Sequence, residues 1–492
     1  MPNILNIKSL IKNMFGGNAL KIEYIVPRTM GKESSYGLKR GVVTFWELVF
    51  QSLSFTAPGI AALATLSGAV AFAYGSAPLS VILAALGVAS AAYAVYEFSL
   101  KVASSGGYYR YIERGFGPRV GAWSGWLYIL YAGVAATPFI YLETALAVQY
   151  GLSELGINLP SWSWYPLGIA DALLALVLPY LGIKPSVKYM LWTGMIEIAA
   201  LMLGGAIIIA LSPKPWDPLV FTPAYAPGGW SGVGMGLIFA FTAFAGWGSM
   251  TFLGAEAKEA HVNIRRGVIA VVLLLSVFFI FMMYALIIGW GPSNASTYFQ
   301  YFIPGITEAV KYGLLPIAIL WMILVTNSGF TDTMAILNAV ARDMYTMAKD
   351  SALPQWLSIT HPRYKTPHRA LILDTVIGLA LFTALGWTLG PLNAFLITGL
   401  WGGIATSIEH LLINIALPLY SRKRDFFKWT HVAVPTIASV LYLFVLYATA
   451  ITTAISLPVI VAVTFLVAWF IITGVISWKK PVVPRLEEGE EL

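Results

Sequence analysis

The chain has 492 residues, of which 58% are hydrophobic and only 11% are charged. Soluble globular domains have about 45–50% apolar and about 25% charged residues. The surplus of apolar side chains therefore excludes a soluble domain and indicates a protein that faces lipid. The chain contains no cysteine, which excludes disulfides and cysteine-based metal or catalytic sites.

Twelve long apolar segments follow one another along the chain, and several exceed the roughly 20 residues that a membrane-spanning helix needs. We therefore predict an all-α membrane protein of about twelve transmembrane helices. The predicted spans are 42–66, 68–96, 118–150, 165–183, 186–212, 232–257, 267–290, 312–340, 370–388, 391–418, 432–453 and 456–478.

The basic residues predict the orientation of these spans. If the loops alternate between two sides, all of the 30 lysines and arginines except Lys214 and Lys311 lie on one side. The positive-inside rule places that side, with both termini, in the cytoplasm. We expect a multi-pass protein of the cell (plasma) membrane. No basic residue lies deep in a span, which disfavours a voltage sensor or an arginine-lined anion pore.

Two spans carry helix-breaking residues at corresponding positions. The first contains Pro58 followed by Gly59, and the sixth contains Gly246 and Gly248 on either side of a tryptophan. Proline removes a backbone donor and clashes with the preceding turn, while glycine loosens the chain. Matching interruptions in the first and sixth spans are typical of transporters built from two inverted repeats.

An unwound backbone is tolerated in a membrane where it lines a cavity or is buried in protein. Its free amides attract an anionic group and its free carbonyls attract a cation. One site with both features suits a zwitterion such as an amino acid. The alternative is that proline and glycine merely allow bends and close helix packing.

Three stretches resemble a known family. The first runs from Ser104-Ser105-Gly106-Gly107-Tyr108 to Gly125-Trp126, the second from Gly246-Trp247 to Lys258, and the third from Ala341-Arg342 through Asp350 and Pro354 to Thr366-Pro367. Together they are similar to the loop, helix 6 and inner-loop motifs of the amino acid–polyamine–organocation (APC) superfamily. The resemblance covers about 38–478.

The resemblance implies a LeuT-like fold, a 5+5 inverted repeat with discontinuous helices 1 and 6. It implies a permease for amino acids or related amines, a secondary active transporter that works by alternating access. On this basis the chain divides into a cytoplasmic N-terminal tail (1–40), a first five-helix repeat (41–212), a second repeat (213–420), helices 11 and 12 (421–478) and a cytoplasmic C-terminal tail (479–492).

The family's unwound segments hold the substrate, which implies binding residues at the matching positions here. They are Thr56, Ala57, Gly59 and Ile60 in helix 1, and Phe241, Thr242, Phe244, Ala245 and Gly246 in helix 6. Most members have Gly-Ser-Gly or Gly-Thr-Gly where this chain has Ala57-Pro58-Gly59. Because Pro58 offers no amide, capture of a substrate carboxylate would depend on Gly59, Ile60 and a hydroxyl such as that of Thr56.

Carboxyl groups inside a membrane are costly, so each is a functional candidate. Glu143, Glu197, Asp332 and Glu409 lie within predicted spans. Glu143 is toward the outer end of its span, where it could instead reach water. Five others lie near span ends, where we expect them to reach water; these are Glu47, Glu97, Asp171, Glu256 and Asp374.

Glu197 stands where the resemblance places a lysine in many proton-dependent relatives. It could carry a proton, or bind Na⁺ together with hydroxyls such as those of Thr331 and Thr333. It could also contact the ammonium group of the substrate, or only pack against a neighbouring helix. We assign Glu197, Asp332 and Thr333 as candidates for proton or cation coupling. We interpret Glu409-His410 as a packed polar pair in preference to a proton relay.

The first functional expectation is therefore a proton-coupled permease, with a sodium-coupled symporter or an amino acid exchanger as alternatives. A membrane-embedded enzyme or a channel is a remote alternative, because signatures such as His-Glu-x-x-His, Gly-x-Ser-x-Gly or a repeated selectivity element do not occur. We expect no metal site, no cofactor beyond H⁺ or Na⁺ as coupling ion, no nucleic acid and no obligate protein partner. The expected partners are a small amino acid or amine and the lipid bilayer.

Overall fold

The computed structural model describes residues 37–453, 456–480 and 482–485. Residues 1–36 of the predicted N-terminal tail and the acidic residues of the predicted C-terminal tail lie outside this part of the chain. Within it, helices predominate, and an isolated parallel bridge joins Val43 and Ala257.

The α-helices are numbered here in chain order. They are α1 (Phe45–Phe55), α2 (Pro58–Ile60), α3 (Ser67–Ala73), α4 (Ala77–Ser99), α5 (Gly107–Phe116), α6 (Pro118–Tyr128), α7 (Thr137–Glu154), α8 (Trp164–Leu181), α9 (Ile183–Leu211), α10 (Trp230–Ala243), α11 (Ala260–Trp290), α12 (Pro304–Lys311), α13 (Leu315–Lys349), α14 (His368–Leu389), α15 (Pro391–Lys423), α16 (Thr430–Thr452) and α17 (Leu457–Lys479).

Many of these helices are apolar on most of their surface, as lipid-facing helices must be. In the described residues, ten helical stretches are long and apolar enough to cross a membrane, and α10 is a shorter apolar helix. The prediction of a multi-pass, all-α membrane protein is confirmed. The count of twelve spans and the pairing into two repeats stay predictions.

The first predicted break lies between α1 and α2. Helix α1 begins with a capping box, in which the Thr44 amide donates to Glu47 Oε2 at 2.8 Å, and it ends at Phe55. Ala57 follows in the left-handed region (φ 41°, ψ 66°), a conformation that costs a non-glycine residue about 1–3 kcal/mol. Helix α2 then restarts at Pro58, since proline suits a first helical position where no amide partner is needed.

The second predicted break follows α10, which ends at Ala243. Gly246 has φ +96°, and a 3₁₀ segment then runs over Ser249–Glu256. A side chain at Gly246 would collide with the ring of Phe55. The two interrupted segments therefore touch, and glycine is required at this contact by both its backbone angle and the space available.

On the face where α1 begins, here called the N-terminal face, polar side chains tie the helices together. The Glu256 carboxylate pairs with the Arg342 guanidinium through two hydrogen bonds, one of them Nη2 to Oε1 at 3.1 Å. The Val42 and Val43 amides both donate to the Glu256 carbonyl, at 2.9 and 3.0 Å. The start of α1 is thereby attached to the end of the 3₁₀ segment and to α13.

The expectation that the five carboxyl groups near span ends reach water is wrong. Their side chains are all buried, and each carboxyl has a polar partner within the protein instead. The partners are Lys184 for Glu47, His431 for Glu97, Thr333 for Asp171, Arg342 for Glu256 and Thr137 for Asp374. Sequence position alone missed this because the partners come from distant helices.

The Glu256–Arg342 pair predicts a stability defect. Glu256→Gln keeps the size of the side chain but leaves the buried Arg342 without its counter-charge, and such a loss costs about 3–5 kcal/mol. We expect a lower midpoint of thermal unfolding in detergent. Glu259→Gln, at an exposed residue three positions further on, is the matched control, and equal midpoints for the two variants would contradict this assignment.

Candidate functional site

A cavity of about 960 Å³ lies next to both helix breaks. Its walls include residues of α2, α7, α10, α13 and α15, and it extends to the loops on the face opposite the N-terminal face. The lining residues at that end include Glu154, Phe299, Ile303, Leu392 and Ser456. The polar contacts of the N-terminal face lie at the other end of the protein, so the cavity opens on one face.

Aromatic side chains form the deep end of the cavity. The rings of Phe55 and Tyr131 stack at a centroid distance of 5.9 Å. The His410 ring stacks on Tyr442 at 5.1 Å and lies 5.4 Å from Trp247. Such rings offer apolar contact area and, through their faces, attraction for a cation.

The charged groups in the cavity wall are acidic. Glu143, Glu154 and Asp332 line it, and no lysine or arginine is among the described residues that do so. Glu143 Oε1 accepts a hydrogen bond of 2.7 Å from the Thr65 hydroxyl. The Asp332 side chain is 7% exposed, and its Oδ1 atom is buried without a hydrogen-bond partner.

Glu197 lies behind the helix 1 break, outside the cavity wall. Its Oε1 atom accepts hydrogen bonds from the Gly59 amide at 2.7 Å and from the Ser328 hydroxyl at 2.8 Å. The Gly59 amide is also 3.1 Å from Ser328 Oγ. This contact joins α2, α9 and α13 through one carboxyl group that is 1% exposed.

Local sequence explains why the contact forms at Gly59. The amides at the start of α2 have no helical partner. Because α2 continues through a π-helical segment at Ala61–Thr65 towards α3, the dipole of this longer helical run makes its start favourable for an anion. Pro58 has no amide to offer, so Gly59 presents the first one. A Cβ atom at Gly59 would lie 2.8 Å from Glu197 Oε1, and the absence of a side chain lets the carboxyl approach.

The structure separates the predicted substrate-binding residues into two groups. Most line the cavity, namely Thr56, Ala57, Ile60, Phe241, Thr242, Phe244 and Ala245. Gly59 and Gly246 are not among the lining residues; Gly59 faces Glu197 and Gly246 faces Phe55. The Thr56 hydroxyl donates to the Leu53 carbonyl at 2.7 Å.

The predicted coupling residues lie in three different places. Glu197 is at the helix 1 break, whereas Asp332 lines the cavity. The Thr333 hydroxyl donates to Asp171 Oδ2 on α8 at 2.8 Å. These three residues therefore do not form one ion site.

Sequence reasoning missed Ser328, the hydroxyl partner of Glu197. A signal was present, because Ser328 lies one helical turn before Asp332 on α13 and helical residues four apart share a face. This spacing alone could not show that Ser328 meets Glu197, since the register of α13 against α2 and α9 is set by the tertiary structure.

Glu409 and His410 are adjacent in sequence but have different surroundings. His410 contributes its ring to the cavity wall, and its Nδ1 atom lies 2.8 Å from the Thr406 carbonyl oxygen. Both carboxyl oxygens of Glu409 are buried without a hydrogen-bond partner. The two residues do not hydrogen bond with each other in the described structure.

The absence of cysteine permits a direct test of the cavity. Ser67 in α3 lines it and is partly exposed, while Ser54 in α1 is 3% exposed and lies outside the wall. We expect Ser67→Cys to react with a hydrophilic thiol reagent in proteoliposomes and Ser54→Cys to react far more slowly, as measured by gel shift. Equal rates would contradict the described cavity.

The sequence pattern of the amino acid permease family matches residues 47–481. A branched-chain amino acid permease of Bacillus subtilis is 25% identical, over 71% of this chain and 75% of its own length. A methylthioribose transporter of the same organism is 25% identical, over 67% and 74%. A low-affinity putrescine importer of Escherichia coli is 24% identical, over 62% and 66%. The match over nearly the whole chain shows that this protein belongs to the amino acid permease family.

Proposed function

We propose that the protein is a proton-coupled secondary active transporter of an amino acid or amine, located in the cell membrane with its N-terminal face in the cytoplasm. The observation that carries this proposal is the contact of the Glu197 carboxyl with the Gly59 amide and the Ser328 hydroxyl across the helix 1 break. The contact connects a titratable group to the segment next to the cavity.

Alternating access requires that the cavity open to one side at a time. The cavity extends to one face, and the polar contacts around Glu256 and Arg342 lie at the other. This asymmetry supports an arrangement in which substrate enters from the open face. Exit would then require that the start of α1 separate from the 3₁₀ segment and α13.

The chemistry around Glu197 favours a proton over Na⁺ as the coupling ion. A Na⁺ site presents oxygen lone pairs to the ion, as for other hard cations. Glu197 Oε1 instead receives two hydrogen-bond donors, the amide of Gly59 and the hydroxyl of Ser328. The Thr333 hydroxyl, an expected cation ligand, is turned toward Asp171.

Protonation of Glu197 would change this contact directly. An ionised carboxylate accepts a strong hydrogen bond from the Gly59 amide, because a charge-assisted hydrogen bond is about twice as strong as a neutral one. Adding a proton removes the charge and so weakens the attachment of α2 to α9 and α13. A proton that binds to Glu197 would therefore release the segment that carries Ala57 and Ile60.

Uptake into proteoliposomes tests this proposal, with leucine and putrescine as radiolabelled probes because two relatives carry compounds of these classes. We expect an inward proton gradient to drive uptake of at least one probe and an equal Na⁺ gradient not to. In Glu197→Gln, the proton gradient should lose its effect while exchange of internal for external substrate persists. The reason is that glutamine keeps the shape of the side chain but cannot titrate.

Glu259→Gln, which makes the same chemical change at an exposed position, should behave as the unmodified protein. If Glu197→Gln retains both its uptake rate and its response to the proton gradient, Glu197 is not the coupling residue. If a Na⁺ gradient alone drives uptake, the proton assignment fails.

A further inference from the structure

The helix 1 break and the charges of the cavity together narrow the substrate class within the proposed transport function, on which this inference rests. We propose that the cavity binds an organic amine that lacks a carboxylate, with its ammonium group at Asp332 and Glu143. Amino acid zwitterions would then be poor substrates of this protein.

At the helix 1 break, the backbone donors that could hold a substrate carboxylate already have partners. At the break, the amides of Thr56 and Ala57 donate to the carbonyls of Leu53 and Ser54, at 3.1 and 3.0 Å. Pro58 has no amide. The next two amides, those of Gly59 and Ile60, have no partner within the helix. The Gly59 amide donates to Glu197, and the Ile60 amide lies 3.4 Å from Ser328 Oγ.

The protein thus supplies its own carboxylate to the helix end where a substrate carboxylate would be attracted. Glu197 satisfies the Gly59 amide from behind the break, and neither residue lines the cavity. A substrate carboxylate would have to displace this buried hydrogen bond, and Glu197 would then lose its amide donor and lie next to a second negative charge. Both effects are costly away from water.

Side-chain cations that could replace these amides are missing from the described wall of the cavity. The charged residues there are Glu143, Glu154 and Asp332. The ammonium group of a zwitterion placed against them would be attracted, and its carboxylate would be repelled. An amine has the attraction without the repulsion.

Asp332 is the best-placed partner for the ammonium group. Its side chain lines the cavity, is 7% exposed, and has one carboxyl oxygen buried without a hydrogen-bond partner. An unpartnered carboxyl oxygen at such a depth is costly until it meets a proton or a cation. The rings of Phe55 and Tyr131 in the same cavity provide faces that attract a cation and apolar surface for the rest of the molecule.

Matched pairs of ligands test the proposal, because each pair differs in the carboxylate alone. The pairs are leucine with 3-methylbutylamine, phenylalanine with 2-phenylethylamine, and lysine with 1,5-diaminopentane. For purified full-length protein, we expect the amine of at least one pair to raise the unfolding midpoint and to enter proteoliposomes at concentrations about tenfold or more below its amino acid. Leucinamide, which has lost the negative charge but keeps the carbonyl, should behave like the amine.

Two variants separate the roles of the residues. Asp332→Asn should weaken binding of the preferred amine about tenfold or more, while Asp425→Asn, at an exposed loop residue, should not change it. Glu197→Ala should remove the buried carboxylate that would repel a substrate carboxylate, and it should raise the affinity for the amino acid relative to its amine. The preference of the unmodified protein tests the substrate class even if either variant fails to fold.

The outcomes distinguish this inference from the function on which it rests. Amino acids that bind and enter as well as or better than their amines would overturn the amine assignment and leave the carrier intact. An unchanged amine affinity in folded Asp332→Asn would overturn the placement of the ammonium group. Absence of saturable uptake and exchange for both members of every pair would overturn the carrier function and the inference together.

Discussion

The hydrogen bond from the Gly59 amide to the Glu197 carboxyl is the interaction on which the architecture of the site depends. A helix interrupted inside a membrane leaves backbone groups without partners, and each must find one within the protein. Here Pro58 removes one unsatisfied donor, and Glu197 and Ser328 satisfy the next. The break can therefore exist beside a cavity without exposing bare amides to it.

This arrangement also explains why a glutamate, Glu197, stands where the family resemblance implies a lysine in many relatives. A lysine beside α2 would be repelled by the amides at the start of the helix, whereas a carboxylate is attracted by them. Glu197 and the Ala57-Pro58-Gly59 sequence therefore stabilise the helix break together. The left-handed Ala57 is the strained element of it, and the hydrogen bonds beyond it hold the restarted helix in place.

The two faces of the molecule differ in how they treat charge. On the N-terminal face, buried carboxylates such as Glu256 and Glu47 are matched by Arg342 and Lys184. In the cavity, Asp332 and Glu143 have no cationic side chain among the described lining residues. Paired charges hold the helices of the closed face together. An unpaired buried carboxylate is costly, and a bound cation or proton removes this cost.

Much of this protein follows from its sequence alone. The excess of apolar residues requires a membrane environment, and the proline and glycine residues at 58–59 and 246–248 mark where helices end, because their effect on the backbone is local. The loop motifs identify the family for the same reason, since they are contiguous. Most of the cavity-lining residues next to the breaks, such as Ile60 and Phe241, were predictable because they adjoin those local features.

The tertiary structure decided which polar groups meet. The five carboxyls near span ends found partners on distant helices instead of water, and Thr333 turned to Asp171 instead of joining Glu197. Gly59 proved to face a protein carboxylate, not the cavity. These outcomes depend on the rotation and depth of each helix against its neighbours, which are set by packing over the whole bundle and leave no signal within a single span.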